Sequence, residues 1–91
     1  MASKQVFYAG HVQGVGFRYT VKQVAKGFSV IGWVRNLPDG RVELQASGDA
    51  DELAAFLDAI ERSELRGHIK ETTALDLAAP PVAHGFEIRH G

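Results

Sequence analysis

The first third of the chain changes from strand-like to helix-like spacing of its apolar residues. Residues 6–9 (VFYA) form a short β-rich run that stops at Gly10, which predicts a first strand. Apolar residues then recur at helical spacing, with polar residues between them, and Gly27 indicates where this first helix ends. The apolar set of this helix is Phe17, Val21, Val24, Ala25 and Phe28.

A hairpin is predicted in the next part of the chain. Residues 30–34 (VIGWV) favour a second strand. Residues 37–40 (LPDG) are typical of a tight turn, because Pro presets φ and Gly accepts a positive φ. Polar and apolar residues then alternate over residues 41–46 (RVELQA), which predicts a third strand with one face toward the core and the other toward water.

A capping signal followed by a periodic apolar stripe predicts a second helix. Asp49 and Glu52 match a capping box, with Asp49 at the N-cap and Glu52 at the third helical position. The apolar residues that follow at i, i+3, i+4 and i+7 are Leu53, Phe56, Leu57 and Ile60. This spacing turns one side of the helix toward the core.

Two more strands complete the predicted order. Residues 69–77 favour a fourth strand, residues 80–81 (PP) interrupt the chain, and Phe86 and Ile88 indicate a short C-terminal strand. The order β-α-β-β-α-β, with this extra strand, predicts a single ferredoxin-like α+β sandwich over residues 1–91, with two helices on one face of an antiparallel sheet. This fold alone does not select a function.

Composition and charge limit the classes of binding partner and the cellular compartment that we expect. The net charge is −1 and the 10 Lys and Arg residues are scattered, whereas proteins that neutralise many nucleic-acid phosphates carry a basic excess. The lack of cysteine removes disulfides, thiolate metal sites and thiol nucleophiles. Residues 1–5 show no signal region, and no apolar run approaches the roughly 20 residues of a membrane span, so we expect a cytoplasmic protein without a membrane partner.

The segment between the first strand and the first helix has the properties of an anion-binding loop. Its glycines, Gly10, Gly14 and Gly16, let backbone N–H groups turn toward one point, and the following helix adds the positive end of its dipole. Arg18 follows, and its planar guanidinium can hold two phosphate oxygens at once. A glycine-rich turn beside a surface arginine explains the same spacing equally well. The Gly-Lys-Ser/Thr of a nucleotide P-loop and the third glycine of a dinucleotide fingerprint are both missing.

Two motifs carry a resemblance to a known family. Residues 10–18 (GHVQGVGFR) resemble the first signature of the acylphosphatase family, and residues 32–43 (GWVRNLPDGRVE) resemble the second, with matching order, spacing and total length. The resemblance implies a metal-free and cofactor-free enzyme that hydrolyses the carboxyl-phosphate anhydride of an acyl phosphate. It assigns phosphate binding to Arg18 and to loop amides, and the orientation of the attacking water to Asn36. The residues that would supply the amides are His11, Val12, Gln13, Gly14, Val15, Gly16 and Phe17.

Hydrolysis of an acyl phosphate requires few catalytic groups, so Arg18, the loop amides and Asn36 could suffice. The leaving carboxylate is stable as an anion at neutral pH, so no general acid has to protonate it. The transition state of phosphoryl transfer is loose, so positioning and charge stabilisation supply most of the catalysis. Asn36 can accept from and donate to a water without removing its proton. Position alone favours a turn-opening role for Asn36, and the second motif reverses that preference. We expect Asn36 to approach the loop if the first two strands are neighbours.

Other notable side chains are expected to be structural. We expect Phe17 and Trp33 to lie in the core rather than to act as base-stacking platforms. Leu37 stands where some relatives carry a threonine, so this chain lacks that hydroxyl beside Asn36. We expect His11 to be exposed. The histidines are dispersed without metal-ligand spacing, and they are His11, His68, His84 and His90.

Two alternative functions share parts of this pattern. One is a carbamoyl-phosphate-handling module, because similar domains occur at the N-terminus of a larger hydrogenase-maturation protein, whose further zinc-binding and catalytic domains are absent from this sequence. The other is an RNA-binding module on the same fold, but residues 41–45 offer no aromatic side chain for base stacking. We therefore expect a monomer that binds a small acyl phosphate, releases inorganic phosphate, is inhibited by it and binds no nucleic acid.

Overall fold

Five strands and two α-helices lie along residues 1–90, the part of the chain that the computed structural model describes. The elements are β1 (Ala2–Gly10), α1 (Phe17–Ala25), β2 (Val30–Asn36), β3 (Val42–Gly48), α2 (Ala50–Arg62), β4 (Ile69–Asp76) and β5 (Phe86–Arg89). A 3₁₀ helix at Glu64–His68 joins α2 to β4. The predicted order and the ferredoxin-like α+β class are confirmed.

The sheet has the order β4-β1-β3-β2-β5 and is mixed rather than wholly antiparallel as predicted. The pairs β1–β3, β1–β4 and β2–β3 are antiparallel, whereas β5 runs parallel to β2. These directions bring the end of β4 and the start of β2 to the same end of the sheet. The chain passes along that end through residues 77–85, and β5 therefore begins beside the start of β2 and follows its direction.

One face of the sheet packs against both helices and forms the core. Alternate residues of the central strands point toward the helices, and Val34, Leu44 and Phe56 have no exposed surface. The predicted stripe of α2 is confirmed, with its members buried except for the half-buried Leu57. Phe17 is also in the core, as predicted.

The opposite face of the sheet is less exposed to solvent than the alternation of polar and apolar residues in β3 predicted. Glu43 is only 4% exposed, because it lies on the central strand and long side chains from the neighbouring strands cover it. Its carboxylate accepts hydrogen bonds from Nε2 of Gln5 at 2.7 Å, Nε of Arg35 at 2.9 Å and Nε2 of Gln45 at 3.3 Å. Burial acts to raise the pKa of Glu43, but these donors outweigh it and hold the pKa below its ordinary value.

Trp33 is buried on this second face and not in the core that packs against the helices. The guanidinium carbons of Arg35 and Arg89 lie 5.2 and 5.1 Å from the centre of its ring. Cations at this distance from an aromatic ring are attracted to it and also cover its apolar surface. The tryptophan is thus buried as predicted, but charged side chains bury it.

The start of α2 differs from the predicted capping box. Asp49 occupies the N-cap position, but its side chain makes no capping hydrogen bond. The carboxylate of Glu52 instead accepts from the backbone N–H of Ser29 at 2.9 Å. Glu52 therefore bonds to a residue distant in sequence instead of to a backbone N–H at the start of its own helix. Helix α1 ends at Ala25, two residues before Gly27.

Candidate active site

The loop of residues 11–16 leads from β1 into α1 and takes its shape from glycine. Gly14 and Gly16 have φ values of 79° and 73°, which side chains with a Cβ rarely adopt. Gly16 occupies the N-cap position of α1 and provides no side-chain cap. Because the first N–H groups of a helix have no partner within it, this end of α1 presents donors and a partial positive charge.

A cavity of about 340 Å³ lies beside this loop. Its lining residues are Val12, Gly14, Gly16, Phe17, Arg18, Tyr19, Asn36, Ile88 and His90. The structure therefore brings Arg18 and Asn36 to one space, although they come from different parts of the chain. Within the part of the chain that the structure describes, these residues include no carboxylate, and Arg18 brings a positive charge to the cavity.

Three residues of the predicted amide set do not line the cavity. His11 is exposed, as expected, and its ring packs against that of His68 with 5.9 Å between ring centres. Its backbone N–H donates to the carbonyl of His68 at 2.9 Å. Val15 is half-buried outside the cavity, and Gln13 turns its side chain toward the β2–β3 hairpin. The assignment of phosphate binding to the amides of residues 11–17 stays a prediction.

Arg18 is half-buried at the second position of α1, and the C-terminal strand supports it. Its Nη1 donates to the carbonyl of Arg89 at 3.2 Å and lies 3.3 Å from Nδ1 of His90. Within residues 1–90, its Nε and Nη2 make no hydrogen bond. One nitrogen thus anchors the guanidinium, while two remain to meet an anion.

Asn36 is the last residue of β2 and pairs with Val42 of β3. The premise that β1 and β2 are neighbours is wrong, because β3 lies between them. Both strands are antiparallel to β3, however, so their C-terminal ends reach the same end of the sheet. Asn36 therefore still lines the cavity, and its side-chain amide has no hydrogen-bond partner within the part of the chain that the structure describes.

Sequence reasoning missed the contributions of Tyr19, Ile88 and His90 to the cavity. Tyr19 follows Arg18 directly, lines the cavity and is 64% exposed. Ile88 and His90 come from the C-terminal end, and only the parallel pairing of β5 with β2 brings them there. Adjacency to Arg18 could have pointed to Tyr19, whereas no local signal marks the other two.

Neither a metal centre nor a membrane span is evident in the described chain. Within residues 1–90, no three His, Cys, Asp or Glu side chains are grouped as they would be to hold a metal ion. Neither helix of this region has the length and apolar character needed to cross a bilayer.

Comparison with known proteins identifies the family. The family model for Acylphosphatase matches residues 4–88. An acylphosphatase of Methanospirillum hungatei is 46% identical over 63 residues, which cover 69% of each chain. One from Oceanobacillus iheyensis is 35% identical over 82 residues, or 89% of this chain and 90% of the relative. The crystal structure of acylphosphatase from Bacillus subtilis superimposes with a TM-score of 0.87 at 32% identity, covering 98% of this chain and 99% of the other. The chain therefore belongs to the acylphosphatase family of enzymes.

Proposed function

We propose that this protein hydrolyses acyl phosphates to a carboxylate and inorganic phosphate, with the phosphate held by Arg18 and loop amides and the water oriented by Asn36. The observation that carries the proposal is the shared cavity, which Arg18 and Asn36 line together with the glycine loop. Family membership supports the substrate class. The positions of these side chains support the division of roles between them.

Phosphate binding follows from the donors around the cavity. The Nε and Nη2 atoms of Arg18 can form the two parallel hydrogen bonds that a guanidinium makes with a phosphate. Gly14 and Gly16 leave the loop backbone without covering side chains, and the uncapped start of α1 adds further N–H groups. Charge that develops on the phosphoryl oxygens would meet these donors already in place.

The water would be held by Asn36 rather than deprotonated by a strong base. Its side-chain oxygen can accept a hydrogen bond from the water and so fix its orientation without removing a proton. Among residues 1–90, no Asp or Glu lines the cavity, so proton abstraction by either has no candidate in this region. An activated phosphoryl group with a carboxylate leaving group does not require one. We propose on the same chemical ground that the reaction needs no metal ion.

The test is hydrolysis of acetyl phosphate by the purified chain, with and without EDTA. We expect turnover that EDTA leaves unchanged, with inorganic phosphate as a competitive inhibitor. Arg18→Ala should weaken both substrate and phosphate binding by about 10- to 150-fold, which corresponds to one charge-assisted contact. Asn36→Ala should keep phosphate binding and lower kcat by roughly 100-fold. Arg62→Ala, which removes an exposed cation of α2, is the matched control and should behave as wild type.

Each part of the proposal has its own contradicting result. Loss of activity in EDTA that added metal restores would contradict the metal-free reaction. Full activity in Asn36→Ala would contradict the water-orienting role and leave the substrate class intact. Unchanged inhibition by phosphate in Arg18→Ala would show that the anion binds elsewhere.

A further inference from the structure

We infer that the side chain of Gln13 is a positioning residue that ties the phosphate loop to the hairpin that carries Asn36. The inference rests on the proposed function, because it concerns how the two halves of that site are held together. Gln13 is half-buried in the loop, yet its side chain does not line the cavity. It points to the β2–β3 hairpin instead.

The contact consists of two hydrogen bonds from one nitrogen. Nε2 of Gln13 donates to the carbonyl of Leu37 at 2.8 Å and to the carbonyl of Arg41 at 2.9 Å. The same carbonyls accept backbone N–H groups within the turn, from Gly40 at 3.2 Å and from Leu37 at 2.8 Å respectively. Since a carbonyl oxygen has two lone pairs and an NH₂ group has two hydrogens, Gln13 uses both of its donors and fills both acceptors.

These two bonds lie close to Asn36 in the hairpin. Leu37 follows Asn36 directly, and Asn36 opposite Val42 is the last pair of the β2–β3 ladder. Gln13 therefore binds the hairpin at the carbonyl of Leu37, the residue that follows Asn36. Within residues 1–90, no other hydrogen bond joins residues 11–16 to residues 36–42.

The loop needs such a tie because its own backbone restrains it weakly. Gly14 and Gly16 follow Gln13 in the chain, and both have positive φ values. Glycine has the widest choice of backbone conformation, so this part of the loop is weakly restrained. His11 fixes the other end of the loop to the carbonyl of His68, on the side of β4. That anchor does not involve the hairpin. The distance between the bound phosphate and the water on Asn36 thus depends on Gln13.

The expected effect is on turnover rather than on phosphate binding. A displacement of about 1 Å between reacting groups can cost roughly 100-fold in rate. Phosphate contacts Arg18 and the loop, which stay together when the hairpin shifts. We therefore expect Gln13→Met, which keeps the length and loses both donors, to lower kcat by about 10- to 100-fold while the Ki for phosphate changes less than about threefold.

A double-mutant cycle with Asn36→Ala separates positioning from a general structural role. If Gln13 acts through Asn36, then Gln13→Met should change kcat less than about twofold once Asn36 is already alanine. An equal loss in both backgrounds would overturn the inference, and so would full activity of Gln13→Met. Full activity of Asn36→Ala would overturn the proposed water role and this inference together. Loss in Asn36→Ala with full activity in Gln13→Met overturns the inference alone.

A second variant keeps the test decisive if Gln13→Met folds poorly. Gln13→Glu has the shape of the native side chain, but its carboxylate has no donor and faces two carbonyl oxygens. A protonated carboxyl regains one donor, so kcat relative to wild type at the same pH should rise about threefold or more between about pH 7 and about pH 5. A ratio that does not change with pH overturns the positioning role.

Discussion

Nη1 of Arg18, in the first turn of α1, lies 3.2 Å from the carbonyl oxygen of Arg89 in β5. The contact joins the second residue of the first helix to the last residue of the last strand. It orients the guanidinium, because a backbone carbonyl within a strand has little freedom to move. Preorganisation of this kind reduces the entropy lost on binding.

Arg18→Lys should therefore be a damaging exchange although it keeps the charge. An ammonium group is a single point of contact and cannot hold the carbonyl of Arg89 while presenting a planar fork to phosphate. We expect the Ki for inorganic phosphate in acetyl phosphate hydrolysis to rise about tenfold or more. The exposed cation Lys26 offers a matched control, because Lys26→Arg exchanges the same two groups outside the cavity and should leave Ki unchanged.

His90→Ala should have only a small effect. His90 is exposed, and its Nδ1 lies 3.3 Å from the same nitrogen that the Arg89 carbonyl already anchors. We expect the Ki for phosphate to change less than about threefold, because the contact is exposed and the Arg89 carbonyl still anchors the same nitrogen. A change as large as that of Arg18→Lys would show that the imidazole contacts the anion itself. The exposed His84 lies outside the cavity, and His84→Ala serves as the control.

The carboxylate of Glu43 should make stability depend on acidity. Because its pKa is lowered in the folded protein, the unfolded chain binds the proton more readily, and Glu43 stabilises the fold above the ordinary carboxyl pKa. This contribution is lost as pH falls through the folded-state pKa. We expect Glu43→Gln to lower the free energy of unfolding by about 1–3 kcal/mol at neutral pH, measured by urea titration, with a smaller difference in acid.

The control for Glu43 is a carboxylate that lacks this environment. Asp58 is 60% exposed and pairs with Arg62 on the surface of α2. We expect Asp58→Asn to change the free energy of unfolding by less than about 0.5 kcal/mol, as for an exposed ion pair. A difference between wild type and Glu43→Gln that stays constant from neutral to acid pH would contradict the role of the charge.

Gly32 in β2 is required by close approach of the neighbouring strand. A Cβ atom at this position would lie 2.0 Å from the carbonyl oxygen of Gln45. That oxygen belongs to the ladder of the central strand and cannot move without disturbing it. We expect Gly32→Ala to cost about 2–4 kcal/mol and to lower Tm by about 10 °C or more. Gly67, where a Cβ would meet nothing within 4 Å, is the control, and Gly67→Ala should stay within about 0.5 kcal/mol of wild type.

Local patterns predicted the elements well because their causes are local. The stripe that includes Leu53, Phe56 and Ile60 is the buried side of α2, and residues 37–40 form the turn, with Gly40 at φ 94°. The two motifs correctly placed Arg18 and Asn36 beside one loop. Periodicity reports which side of a segment is apolar, and in these cases that information was sufficient.

The errors lie where distant parts of the chain decide the outcome. Alternation identified the second face of β3 as polar, but only the neighbouring strands determine that Glu43 is covered. Glu52 has the spacing of a capping residue, yet Ser29 supplies its partner. The parallel direction of β5 depends on how the chain crosses the end of the sheet. The backbone role of Gln13 stays a prediction, whereas the bonds of its side chain to the hairpin had no local signal, because the hairpin is distant in sequence.

The contact between Arg18 and Arg89 also bears on how the protein acquires its activity. The two residues are 71 positions apart, so the site is complete only after nearly the whole chain has been ordered. A nascent or partly folded chain would carry the glycine loop without an oriented guanidinium. Inorganic phosphate should then bind the finished native state and scarcely any earlier species, so that it slows unfolding and leaves the folding rate unchanged. A slower unfolding rate with an unchanged folding rate in phosphate would show that the site forms after the folding transition state.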